Sequence, residues 1–238
     1  MFKYIPLYTV AILIALLSSG CGLMTPLPTM NPPREIVDAH DRLDFKYYFE
    51  HSTQAYGEVF QGYEIYYKWY LDGNSLLYSQ DREFLEDQVI VNQVVMAQRG
   101  FLPCVLQDST KPVAPFDANN DGFFHTELSD DKLYIKIYYQ PYNTNPSYAI
   151  KNELRRAYDN SDYSFFRSID RSEIQDYDFS SSIKNAIAPP SVISEIRLEL
   201  AVIAVAYGLT TTLEGVFSRV VAPIDPLDLY EYTFEINN

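Results

Sequence analysis

The chain has 238 residues, a formal net charge of −14 and 15% aromatic content, with 21 tyrosines. A surface this acidic repels phosphate backbones, and no dense Lys/Arg cluster offsets it, which argues against nucleic acid as a partner. Single scattered charges read as a solvated face, and no His-Glu-x-x-His, Gly-x-Ser-x-Gly or phosphate-binding Gly-rich loop points to a catalytic class.

The first segment reads in three parts. Lys3 is the positive start, Ile5 to Leu17 is apolar, and Ser18, Ser19 and Gly20 precede Cys21. Charge, apolar run and small residues in that order make a secretory signal. The run is shorter than the about 20 residues a membrane span needs. Cys directly after the small residues resembles the lipobox of bacterial lipoproteins, with Ser18 where that family usually has Leu. The resemblance implies that residues 1–20 are a signal peptide, that the Cys21 thiol carries diacylglycerol, and that the new amine is acylated. Losing the leader removes Lys3 and no acid, so −14 becomes −15. Several acyl chains hold a protein stably on a bilayer, so a membrane is the first expected partner and the cell envelope the expected address. Gly22, in place of Asp, favours the outer membrane or cell surface over the inner membrane by the sorting pattern of such lipoproteins.

Residues 21–33 contain Pro26, Pro28, Pro32 and Pro33 and read as an extended tether. At ~3.1 Å per residue it reaches on the order of 40 Å. Residues 34–238 then suffice for one domain that folds on its own core. With Cys21 lipidated, Cys104 has no disulfide partner, and its apolar setting from Phe101 to Leu106 predicts a small buried hydrophobe.

Period-two alternation predicts strands at Leu43–Glu50 and Gly62–Tyr70. In the second, Tyr63, Ile65, Tyr67 and Trp69 face inward against Glu64, Tyr66, Lys68 and Tyr70. Asp81–Arg99 reads as a helix, acidic at its start and followed by Gly100. Lys132–Tyr139 is a third alternating strand, and Ser147–Tyr158 a shorter helix. Residues 160–190 read as irregular chain folded over the body. Glu195–Tyr207 alternates and then turns wholly apolar, as a strand buried on both faces does. Gly215–Ala222 and Leu229–Ile236 are the last strands.

Gly62-Tyr63-Glu64-Ile65-Tyr66-Tyr67-Lys68 resembles the third strand of fibronectin type III domains. Ile196 to Ser218, through Ala206-Tyr207-Gly208 and Gly215-Val216-Phe217-Ser218, resembles that family's last two strands, and Leu43–Glu50 falls where its second strand belongs. The resemblance covers about a third of the chain. It implies a mainly β protein with α+β elements: an immunoglobulin-like or fibronectin type III-like β-sandwich carrying a helical insertion at about 72–190. Binding, adhesion or spacing is implied more than catalysis, and fold alone does not fix function.

Asp117, Asn119, Asp121 and Gly122 match the first half of a calcium loop, which places oxygens at positions 1, 3 and 5 and Gly at 6. Position 12 is Leu128, with Glu127 one short, so a plain turn is the alternative. Apart from this calcium, no cofactor is indicated. His40, His51 and His125 share no metal spacing. Tyr66, Tyr70, Tyr134 and Tyr138 fall on the expected outer strand faces. They offer a row for a protein or glycan partner, or else stack across strands beneath covering helices. The expected role is a membrane-anchored, non-catalytic binding or envelope-associated module. The alternatives are an envelope-directed hydrolase, which needs converging carboxylates or clustered histidines, and a structural spacer.

Overall fold

The computed structural model describes residues 30–34, 40–41, 46–52, 60–73, 75–105, 113–115, 125–129, 132–138, 155–156, 169–176, 178–188, 194–209, 215–218 and 229–237. The leader, Cys21 and the Asp117–Gly122 loop lie outside the described residues.

The protein is mainly β. A four-stranded sheet has the order β1 (His40–Asp41), β2 (Lys46–Glu50), β7 (Lys132–Tyr138), β6 (His125–Ser129). A larger mixed sheet runs β8 (Arg155–Arg156), β4 (Leu102–Val105), β3 (Phe60–Leu71), β10 (Glu195–Leu209), β12 (Tyr230–Asn237), β9 (Ile169–Asp170). Off this path β5 (Val113–Pro115) pairs with β3 and β11 (Gly215–Phe217) with β10; β12 and β9 are parallel.

Strand β10 is the spine. Leu198, Leu200, Val202, Ala204 and Ala206 enter one core, and Ala201, Ile203 and Val205 the other. The apolar run of the sequence is therefore a strand buried on both faces, as expected. Neighbouring β3 divides in the same way. Tyr63, Ile65, Tyr67 and Trp69 join the first core, while Tyr66 and Tyr70 join the second. The first core is closed by Phe49 of β2 and by a 3-10 turn (Arg171–Asp176) followed by a helix (Ser181–Ile187). Ile174 of the turn, Ile183 and Ile187 of the helix and Phe179 between them are buried, so the polar segment 160–190 holds a packed helix where irregular chain was expected.

The second core is closed by α1 (Ser75–Glu86) and α2 (Gln93–Gln98), through Tyr78, Leu85, Val91 and Met96. One helix over 81–99 was expected; the structure has two, and the first starts earlier. The break lies in the β-branched run Val89-Ile90-Val91, which favours extended chain. There the Val91 N–H leaves the helical ladder for the Ser218 carbonyl at 3.0 Å. Asn92 restarts the helix, its side chain accepting from the N–H groups of Val94 and Val95. Gly100 ends it at φ +74, with Phe101 N–H bonded to Met96 O and Gly100 N–H to Ala97 O, the double bond pattern of a Schellman cap.

Two further differences concern the segments between. Met30, expected in the tether, is buried in the first core, and its N–H bonds the Phe217 carbonyl. Of the helix expected at 147–158, only Arg155–Arg156 is described, and these residues form a strand paired with Cys104 and Val105. The span 72–190 thus supplies strands to both sheets as well as helices.

Candidate functional site

Three carboxylates converge at the end of the large sheet where β3 turns into α1. Asp72 sits in the Asp72–Gly73 turn, which Gly73 makes at φ +78, a left-handed conformation that suits glycine. Register brings the other two. Glu199 of β10 lies opposite Glu231 of β12 on one side and opposite Tyr70 of β3 on the other. The pairing of Leu198 with Leu71 carries the chain on so that Asp72 N–H reaches the Arg197 carbonyl at 3.3 Å. One oxygen of each carboxylate then lies within 4.8 Å of the others.

The electrostatics are unfavourable as they stand. Like charges directly opposite on paired strands repel. Glu199 is only 9% exposed. Burial pushes its carboxyl up, Asp72 and Glu231 push further, and the Gly73 N–H it accepts pulls part of the way back. Its Oε2 is buried without a hydrogen-bond partner. Asp72 and Glu231 are exposed, and among the described residues Arg197 lies beside the group, 3.7 Å from Asp72 Oδ2.

Two other buried acids among the described residues, Asp81 and Glu64, have partners within the fold. Lys68 Nζ meets Asp81 Oδ2 at 2.5 Å and the Arg99 carbonyl at 2.6 Å, and Tyr70 donates to the same Asp81 oxygen at 2.8 Å. This cluster bolts α1 and the end of α2 onto β3. Glu64, held up by burial, accepts from the Tyr66 hydroxyl. Tyr67 donates to Asp178 at 2.5 Å.

The tyrosines expected in an exposed row are placed differently. Tyr66 and Tyr70 are buried, at 0% and 3% exposure, because α1 and α2 cover that face of β3. Their hydroxyls are engaged by Glu64 and Asp81, so these two serve the core; the covering alternative is what the fold has here. Tyr134 and Tyr138 lie in β7, opposite Glu50 and Lys46 of β2, and their side chains lie outside the described residues. The histidines are dispersed. His51 is half-buried, with Nδ1 2.5 Å from the Tyr63 hydroxyl, and burial lowers its pKa. His40 and His125 sit on β1 and β6, opposite edges of the small sheet, whose backbones stand about 14 Å apart at three interstrand spacings. Among the described residues no helix is long and apolar enough to cross a membrane.

The chain matches no protein-family model, no curated protein and no solved structure. Its own residues therefore carry the functional reading. Local pattern could not reveal the triad: Asp72, Glu199 and Glu231 each look like ordinary surface acids until strand register joins them. Glu199 alone gave a signal, as a charge at the mouth of an apolar strand.

Proposed function

We propose that this protein is a lipid-anchored envelope module without catalytic activity, tethered through Cys21 to the outer membrane or cell surface. One observation carries the reading: Lys3, the apolar run to Leu17, then Ser18-Ser19-Gly20 immediately before Cys21. The mainly β body is the exported cargo, and its role is to bind a protein or glycan at the envelope. We read that body as fibronectin type III-like. In such sandwiches the third strand shares a sheet with the last two and the second lies in the other sheet. Here β3 pairs with β10, β10 pairs with β11, and β2 stands in the separate sheet. Phe49 of β2 meets Tyr63 of β3 edge-on at 4.8 Å across the core between them.

The test is fractionation of cells carrying the parent chain or Cys21→Ser. The parent is expected in the membrane pellet, released by detergent and not by salt, and the variant in the soluble fraction. Equal partitioning of the two contradicts the anchor. The converging carboxylates are the one observation that favours an envelope-directed hydrolase instead. That reading requires turnover of purified envelope glycan that Glu231→Gln abolishes.

A further inference from the structure

We propose that Asp72, Glu199 and Glu231 form a divalent-cation site, with calcium the preferred ion, that ties the β3–α1 turn to strands β10 and β12. The site is independent of the lipid anchor, so either proposal can fail without the other.

Geometry is the first support. Calcium binds oxygen at 2.3–2.6 Å, so two ligands of one ion stand no further apart than about 5 Å. The three carboxylates meet that limit, with one oxygen from each within 4.8 Å of the others. The second support is Glu199 itself. A carboxylate oxygen that is buried and lacks a donor carries a desolvation cost with nothing to offset it. Glu199 Oε2 is in that state inside a residue 9% exposed. The Glu199 carboxylate accepts one bond, from the Gly73 N–H, and cross-strand pairing and the short turn hold it beside Asp72 and Glu231, where a cation supplies the partner that Oε2 lacks. Charge is the third. Three carboxylates less the neighbouring Arg197 leave −2, which one divalent ion neutralises. Asp72 and Glu231 are exposed, so the ion enters from solvent and completes its shell with water, as calcium with six to eight ligands does. Magnesium demands near-octahedral geometry at 2.0–2.1 Å and sheds water reluctantly, which a buried carboxylate fixed by strand pairing does not suit.

The experiment is calorimetric titration of calcium chloride into the chelator-stripped full chain, paired with thermal melts. One ion per chain is expected. Melting should rise by roughly 5–10 °C once free calcium exceeds its dissociation constant a hundredfold, and magnesium should give a smaller rise. Glu199→Gln should abolish the calcium shift while melting no lower than the calcium-free parent, because it removes a buried charge. The exposed Glu231→Gln should weaken binding at least tenfold, and it decides the matter if the first variant folds poorly. Asp117→Asn with Asp121→Asn should leave the shift intact. The proposal is overturned by no saturable heat, by a shift no larger than sodium chloride gives at equal ionic strength, by a shift that survives Glu199→Gln or disappears with the 117/121 pair, or by magnesium matching calcium.

Discussion

Glu64 and Glu199 are buried acids on adjacent strands, and burial raises the pKa of both. Their effect on stability has a definite sign. A carboxyl that is harder to ionise in the fold than in the open chain leaves the fold most stable below the ordinary value of 4.5, and that contribution is lost as pH rises through the folded pKa. The charges facing Glu199 are Asp72 and Glu231, with Arg197 beyond Asp72; Glu64 faces the hydroxyl of Tyr66 and the phenol of Tyr207. In chelator, then, Glu64→Gln with Glu199→Gln should match the parent near pH 4 and exceed it increasingly toward pH 7, read as the urea midpoint; parallel curves would contradict this. Asp81 is a buried acid that has partners. Asp81→Ala strands Lys68 and the Tyr70 hydroxyl. With Lys68 one-fifth exposed, the loss should be about 2–3 kcal/mol, below the full cost of breaking a buried pair. Asp81→Asn, which keeps the acceptor for Tyr70, should lose less in the same titration.

At the scale of elements, α2 is six residues long, too short to persist without its ends and its packing. Its N-cap Asn92 and its terminating Gly100 are therefore where it is vulnerable. Asn92→Ala removes an acceptor shared by two N–H groups and should cost about 1 kcal/mol. Gly100→Ala meets only ordinary contact, Lys68 Cε at 3.9 Å, so its cost of about 1 kcal/mol comes from the positive φ alone. Guanidinium midpoints measure both, and a neutral result at either position would mean that the cap geometry is wrong. Strands were readable because alternation is local: β2, β3, β7, β10, β11 and β12 each overlap a segment whose side chains alternate or run apolar, with β3, β10 and β12 running one or two residues past it. Gly100 was readable as a helix end for the same reason. What covers a strand was not readable. Tyr66 and Tyr70 look amphipathic, and period two separates faces without saying which of them a helix will cover. The helix break at Val89–Val91 depends on a bond to Ser218, more than a hundred residues away in the chain.

Among the described residues the large sheet is buried from both sides, with α1 and α2 on one face and β2, the 3-10 turn and the last helix on the other. Trp69, the single tryptophan, reports on the second arrangement. It stacks edge-on against Phe179 at 6.3 Å and Phe234 at 5.1 Å. Phe179→Ala should cost about 3–5 kcal/mol and shift tryptophan emission to the red; unchanged emission would place the 178–188 segment elsewhere. In the proposed reading this acidic body is held at the membrane by lipid on Cys21. The most direct measurement is the mass of the N-terminal tryptic fragment from protein purified out of its own membrane. No Lys or Arg occurs between Cys21 and Arg34, so processing predicts a fragment Cys21–Arg34 heavier than its peptide mass by a diacylglycerol and a fatty acyl group. A fragment that still starts at Tyr4, or one that starts at Cys21 with a bare thiol, would contradict the anchored account.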